Sequence, residues 1–286
     1  MKSSPEHSTP AGPAVYIHSL EPIWIDYGTF PRLPNTGEDI YCDGLAFRFG
    51  LGYALNRKLQ DAKVPSYWFL HYAEEVFRSL AIQQAREDSL GERILPAQQC
   101  LQASLAISAP LKSGEKKFIL VDPPRQLETD QVFVSVPNKS WLVLLDWKPG
   151  EALQEVLAGC CSRNIHVCLG LPYHEELPVD ISQLLARLED SSPVELIFLY
   201  TPPYLPPPAQ EIDENEFLQL CFRVPVVLPA GPDGCTVYQS EKAWQSILPT
   251  GTGPGDWLTG WLAVYLKARL NGSPIAAAID YAQSFS

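Results

Sequence analysis

The chain lacks any apolar stretch of the roughly 18 residues that a bilayer-spanning helix requires, so no such helix is expected. Positive charge is scarce: 21 Lys and Arg against 33 Asp and Glu leave a net charge of -12. A surface of that sign repels nucleic acid and anionic lipid, so neither nucleic acid nor membrane is expected as a partner. The seven cysteines, at 42, 100, 160, 161, 168, 221 and 235, include no pair at the CxxC spacing of a metal or redox site. Several stand in apolar runs such as HVCLGL, which suits buried, reduced thiols in a cytoplasmic protein. No G-x-G-x-x-G follows the first candidate strand, which argues against a dinucleotide-binding unit. Internal repeats and long charge runs are also missing.

What is present suffices for one large core: 286 residues, of which 46% are hydrophobic and 19% charged. Residues 1–13 are polar and Pro-rich, without an apolar centre, and read as a disordered lead-in rather than a signal peptide. Residues 14–286 read as a single domain, because no segment has the composition of an interdomain linker. Prolines concentrate in PPYLPPPAQ (202–210), an extended or turn segment that reads as a rigid crossover loop, with a polyproline ligand for a partner domain as the alternative.

The second half alternates short apolar runs with amphipathic ones. WLVLLDW (141–147), IHVCLGL (165–171), VELIFLY (194–200) and VPVVLPAG (224–231) are expected to be buried strands. Between them, 151–163, 181–190 and 214–222 carry apolar residues at helical spacing. Such alternation implies βαβ units and a parallel sheet covered on both faces. In the first half, AVYIHSL (14–20) is expected to open the sheet, while 51–62 and 71–86 are expected to be helices. Residues 38–50, 116–122 and 131–136 read as further strands, grouped in a small second sheet within about 24–50 and 116–136.

The segment at 250–272, TGTGPGDWLTGWLAVYLKARLNG, carries the chemistry. A Gly-rich turn leads into a helix that ends near Asn271-Gly272, with Lys267 and Arg269 in its last turns. Gly253 and Gly255 let the backbone aim N–H groups outward, and the helix dipole adds positive potential, so anionic oxygens such as those of a transferring phosphoryl group would be held there. Asp256 beside that hole could take a proton from an attacking hydroxyl. The same pattern also describes an ordinary helix cap.

The motif order resembles that of the PfkB/ribokinase-like carbohydrate kinases. Thr250 to Asp256 is similar to the family's Thr-Thr-Gly-Ala-Gly-Asp turn, with Gly251 and Pro254 as departures. VVLPAGPDGCTVY (226–238) resembles its strand-turn-strand, FPRLPNTGEDIYCDG (30–44) its Arg-Leu-Pro-x-x-Gly-Glu segment, and FRFGLGYALNRKL (47–59) its Gly-Gly-x-x-x-Asn motif, with Leu51 in place of the first glycine. The resemblance implies a ribokinase-like α/β fold: a mostly parallel, Rossmann-like sheet flanked by helices, with a small β lid. It implies ATP and Mg²⁺ as cofactors, with the Mg²⁺ ligands not identified, and a sugar-like small molecule as substrate. Asp256 would be the catalytic base, and Gly253 and Gly255 the anion hole. Asp26, Gly52 and Asn56 would contact substrate, and Gly231 and Gly234 would border the nucleotide. The lid could pair two copies of the chain.

Three departures support a second reading, a catalytically inactive binding or regulatory protein with the same fold. No Asn-x-x-Glu follows VELIFLY, LGLPYHEE (169–176) keeps only Pro172 of the family's Asp-Pro-Asn segment, and the chain is short after its Ala-rich last helix. His174 reads as a solvent-facing loop residue.

Overall fold

Trp141–Leu145 is five apolar residues, all buried, and a strand that is covered on both sides needs such a run. In the computed structural model of the chain it lies near the middle of a nine-stranded sheet. The structure describes residues 13–28, 32, 44–112, 116–121, 128–133, 136–147, 151–172, 181–188, 192–200, 214–229, 234–240, 242–247 and 254–284.

In chain order, β1 (Val15–Ser19), β2 (Ile23–Tyr27) and β3 (Leu45–Arg48) precede helix α1 (Leu51–Asp61). Then come β4 (Ser66–Tyr72), α2 (Glu75–Glu87), β5 (Ile94–Leu101), β6 (Leu105–Pro110) and β7 (Lys116–Val121). The second half runs β8 (Trp141–Leu145), α3 (Glu151–Ser162), β9 (His166–Pro172), α4 (Ile181–Arg187), β10 (Val194–Tyr200), α5 (Glu214–Arg223) and β11 (Val226–Pro229). A hairpin of β12 (Gly234–Gln239) and β13 (Lys242–Ile247) leads to α6 (Pro254–Leu270) and α7 (Ile275–Gln283).

The large sheet has the order β13-β12-β11-β10-β9-β8-β1-β4-β5. From β11 to β5 every neighbouring pair is parallel, and only the β12–β13 hairpin adds antiparallel pairing. Period-2 alternation divides the side chains between two cores. Val15, Ile17, Trp68, Val143 and Phe198 pack on α1, α6 and α7. Tyr16, Phe69, Leu142, Val167 and Ile197 pack on the other face with α3, α4 and α5.

The second sheet has the order β3-β2-β6-β7, with β2 and β6 parallel and both outer pairs antiparallel. β2 starts four residues past the end of β1, and β6 four past the end of β5, so the small sheet rises from the carboxyl edge of the large one. Phe47 and Leu105 join it to the α1-side core.

Four helices stop in the same way. Lys63, Ser89, Asn164 and Gly272 follow α1, α2, α3 and α6 with φ of 59°, 60°, 53° and 83°. In each case the next N–H bonds back to the carbonyl five residues earlier, as from Ser273 to Ala268 at 3.0 Å.

The strands expected in the second half are present within two residues at their starts, and β10 spans the expected 194–200. Two expectations are corrected. Residues 131–133, expected within a strand at 131–136, instead close a short 3₁₀ turn, 129–133. Val132 and Val136 are buried in the core that α3 also lines. The helix expected over 71–86 starts only at Glu75, because the aromatic run SYWFLHY is β4. The small sheet also recruits β6, from a stretch that shows no clear pattern in the sequence.

Candidate functional site

In an open parallel sheet, ligands bind outside the carboxyl ends of the strands. Two helices begin at that edge here. The N-terminus of α1 meets Glu21, two residues past the end of β1, while its later residue Asn56 reaches Ser66 at the start of β4. α1 therefore runs down from the carboxyl edge. β13 is antiparallel to β12, which is antiparallel to β11, so β13 runs with the parallel strands and delivers the chain to the same edge. α6 then descends: near its end, Arg269 bonds Glu195, the second residue of β10, and lies over Trp141, the first residue of β8. A helix of 17 residues spans about 25 Å, which returns its N-terminus to the carboxyl edge.

Pro254 is the first residue of α6, where its missing N–H is no loss. Gly255 and Asp256 follow in the first turn, where backbone N–H groups have no intrahelical partner. The turn before it, including Gly253, lies outside the described residues. So do Gly231, His174, residues 201–213 after β10, and most of the Arg-Leu-Pro-x-x-Gly-Glu segment. Gly234 is the first residue of β12, opposite Ile247. The β11–β12 connection is also at the carboxyl edge, because β11 runs with the parallel strands.

The N-terminus of α1 is built around a residue that sequence reasoning missed. Its cap position is Gly50, which has no side chain to offer. Glu21 supplies the cap from a distance: Leu51 N–H donates to Oε1 at 3.0 Å and Gly52 N–H to Oε2 at 2.9 Å. The Ser19 hydroxyl donates to Oε2 at 2.7 Å. Both glycines are required by contact. A Cβ on Gly50 would stand 2.8 Å from Glu21 Cδ, and one on Gly52 would stand 2.7 Å from Ser19 Cβ. Burial pushes the Glu21 carboxyl above its usual range, partly offset by the Ser19, Gly52 and Leu51 donors. The signal available in the sequence was an acid directly after the first strand of an α/β sheet.

Asp26 lies on β2 and is paired with Arg48 Nε of β3 at 2.5 Å. Arg48 also stacks over Trp24, 5.8 Å from the ring centre. Asn56 is fully buried, with Oδ1 accepting from Ser66 Oγ at 2.7 Å and Nδ2 donating to the Arg93 carbonyl at 3.3 Å. Arg93 in turn donates to the Val64 carbonyl at 2.7 Å. The amide thus joins α1 to the amino ends of β4 and β5, about a turn below Gly52. The structure brings Gly52 and the first turn of α6 to one edge, and leaves Asn56 in the scaffold.

On the opposite face of the large sheet, His18 Nδ1 and His71 Nε2 are 2.9 Å apart, and His18 stacks on Phe69 at 4.0 Å. Burial, then the neighbouring His71, holds His18 well below the usual histidine range, so His18 is neutral. Nothing in the sequence marked it.

No family model matches the chain, and no curated protein matches its sequence. Solved structures do match along its length. A ribokinase of Arabidopsis thaliana, complexed with ribose and ATP, is 17% identical, with a TM-score of 0.64 over 96% of this chain and 91% of its own. The chain has the ribokinase-like fold. Phosphofructokinase-2 of Escherichia coli, in complex with fructose-6-phosphate, is 12% identical with a TM-score of 0.65 over 95% of this chain and 91% of its own. Ribokinase of Giardia lamblia is 13% identical, with a TM-score of 0.65 over 95% and 92%. At such identities the likeness is one of fold. The ribokinase-like fold expected from the motif order is thus found: a mostly parallel sheet flanked by helices, and a small second sheet at one edge. Among the described residues no helix is long and apolar enough to cross a membrane.

Proposed function

We propose that the protein is an ATP-dependent kinase that phosphorylates a hydroxyl of a sugar or sugar-like small molecule. The observation that carries this reading is the convergence of the α1 and α6 N-termini on the carboxyl edge of the sheet, beside the small second sheet. The acceptor lies between the start of α1, at Gly52, and the small sheet with its Asp26–Arg48 pair. The hydroxyl to be phosphorylated points at the first turn of α6. There the N–H groups around Gly253 and Gly255 hold anionic oxygens, and the Asp256 carboxylate takes the hydroxyl proton. ATP approaches along the β11–β12 side, past Gly231 and Gly234, and supplies the phosphoryl group. Mg²⁺ is expected with the ATP phosphates; among the described residues no group of three His, Cys, Asp or Glu side chains stands ready to hold it. A cytoplasmic location and pairing of two chains through the small sheet, whose outer strands expose Leu45 and Val121, complete the reading.

The test is ADP release with Mg-ATP across a panel of neutral sugars, sugar acids, sugar phosphates and nucleosides, with Asp256→Asn alongside. Turnover with one acceptor, reduced about 10²- to 10⁴-fold in the variant at unchanged circular dichroism, is the expected result. Equal turnover in the variant removes Asp256 as the base. No turnover with any acceptor, from folded protein, favours the inactive binding or regulatory reading.

A further inference from the structure

A helix start normally offers N–H donors to a ligand. At α1 those donors are already engaged by the chain itself. Leu51 N–H, Gly52 N–H and the Ser19 hydroxyl all point at the Glu21 carboxylate. Each carboxylate oxygen has two lone pairs. Oε2 receives two donors and Oε1 one, so one accepting position remains, on Oε1. Among the described residues the groups that act on Glu21 are all neutral, leaving the α1 dipole, about half a unit charge, to face its negative charge. The carboxylate is also fixed in place, with Gly50 closing over Cδ and Oε2. Beside Gly52, Trp68 is 2% exposed and its Nε1–H has no acceptor among the described residues; a Cβ on Gly52 would stand 3.2 Å from that nitrogen.

A negative acceptor and an unanswered N–H donor together favour a group that both donates and accepts, which a hydroxyl does and a carboxylate or phosphate does not. We propose that Glu21 is a specificity-determining residue. It makes the α1 side of the acceptor site negative, selecting neutral polyols and rejecting compounds that bring a carboxylate or phosphate to that end. The proposal rests on the reading of this edge as a sugar site, and it narrows the acceptor class to neutral sugars.

The experiment is calorimetric binding without ATP, comparing each neutral sugar of the panel with its acid or phosphate, such as glucitol with gluconate and fructose with fructose 6-phosphate. Wild-type protein is expected to bind the neutral partner at least about tenfold more tightly, the scale of a like charge held at close range. In Glu21→Gln, which keeps the shape and removes the charge, that ratio should shrink about tenfold. Equal or tighter binding of the anionic partner by wild type overturns the role of Glu21, as does an unchanged ratio in the variant. Both leave the sugar site standing. If the variant does not fold, the wild-type ratio decides alone. If no member of the panel binds wild type, the sugar-site reading falls and takes this proposal with it.

Discussion

Glu21 is buried and Glu195 half-buried, at opposite edges of the same sheet, and the two are held by opposite means. Glu21, past the carboxyl end of β1, accepts from two backbone N–H groups and one hydroxyl, all neutral. Glu195, at the amino end of β10, is bound by Arg269, with Nε at 2.9 Å and a second nitrogen closer still, and by His166 Nδ1. Trp141 stacks on His166 and carries Arg269 over its face, so four residues from three strands and α6 close one cluster. Burial raises the proton affinity of both acids. At Glu21 burial prevails over its neutral donors, while at Glu195 the contacts with His166 and Arg269 overcome it and the carboxyl titrates below its usual range. The amino edge neutralises its charge internally, which is what a structural clamp needs. The carboxyl edge leaves a charge unneutralised, the condition under which a ligand can still be selected by it.

Breaking the amino-edge cluster should have the largest effect on stability. Glu195→Ala leaves Arg269 without its counter-charge and His166 without its hydrogen-bond partner, and is expected to cost about 3 kcal/mol in urea unfolding, with sugar binding unchanged. A loss of binding at intact stability would erase the division between the edges. Asn56→Ala should cost about 2 kcal/mol, because Ser66 Oγ and the Arg93 carbonyl each lose a buried partner. Its affinity for any bound sugar should not change, and a large loss of affinity would return Asn56 to the site.

Gly52→Ala sharpens the comparison from the other side. Its Cβ would press on Ser19 and shift the Glu21 donors, so it should cost about 1 kcal/mol but weaken sugar binding, measured by calorimetry, more than Asn56→Ala does.

The smallest effect is a slope with pH. The Glu21 carboxyl is raised in the fold, so its contribution is fully present below the ordinary value of 4.5 and is lost as pH rises through the raised one. Glu195 is lowered, so its contribution is present above 4.5 and is lost as pH falls through the lowered value. Urea unfolding across that range should show Glu21→Gln gaining on wild type as pH rises, and the deficit of Glu195→Gln shrinking as pH falls. Slopes of the same sign in the two variants would contradict the contrast.

The second half of the chain was legible because its strands are covered on both faces. Nothing but apolar residues suits WLVLL or VELIFLY, and the helices between them keep one apolar face. In the first half the signals compete. SYWFLHY combines aromatic residues with two polar ones, and its histidine faces a partner histidine rather than solvent, so its pattern resembles a helix start. β6 alternates too weakly to stand out, and its place in the small sheet comes from pairing with β2 and β7. Asn56 stood out by its spacing from Gly52, but spacing along a helix does not report depth. One turn separates the sheet's carboxyl edge from its interior.

The alternation of strand and helix and the two-faced cover of the sheet were legible in the sequence, because each depends on residues near one another in the chain. Only the folded sheet sets Glu21 at its carboxyl edge, against the start of α1. Glu21 and Gly52 are 31 residues apart, and they meet only because β1 ends where α1 begins. The same holds for Glu195 and Arg269, 74 residues apart. A carboxylate's role depends on whether its donors are neutral or charged, and those donors come from strands and helices that only the folded sheet places side by side.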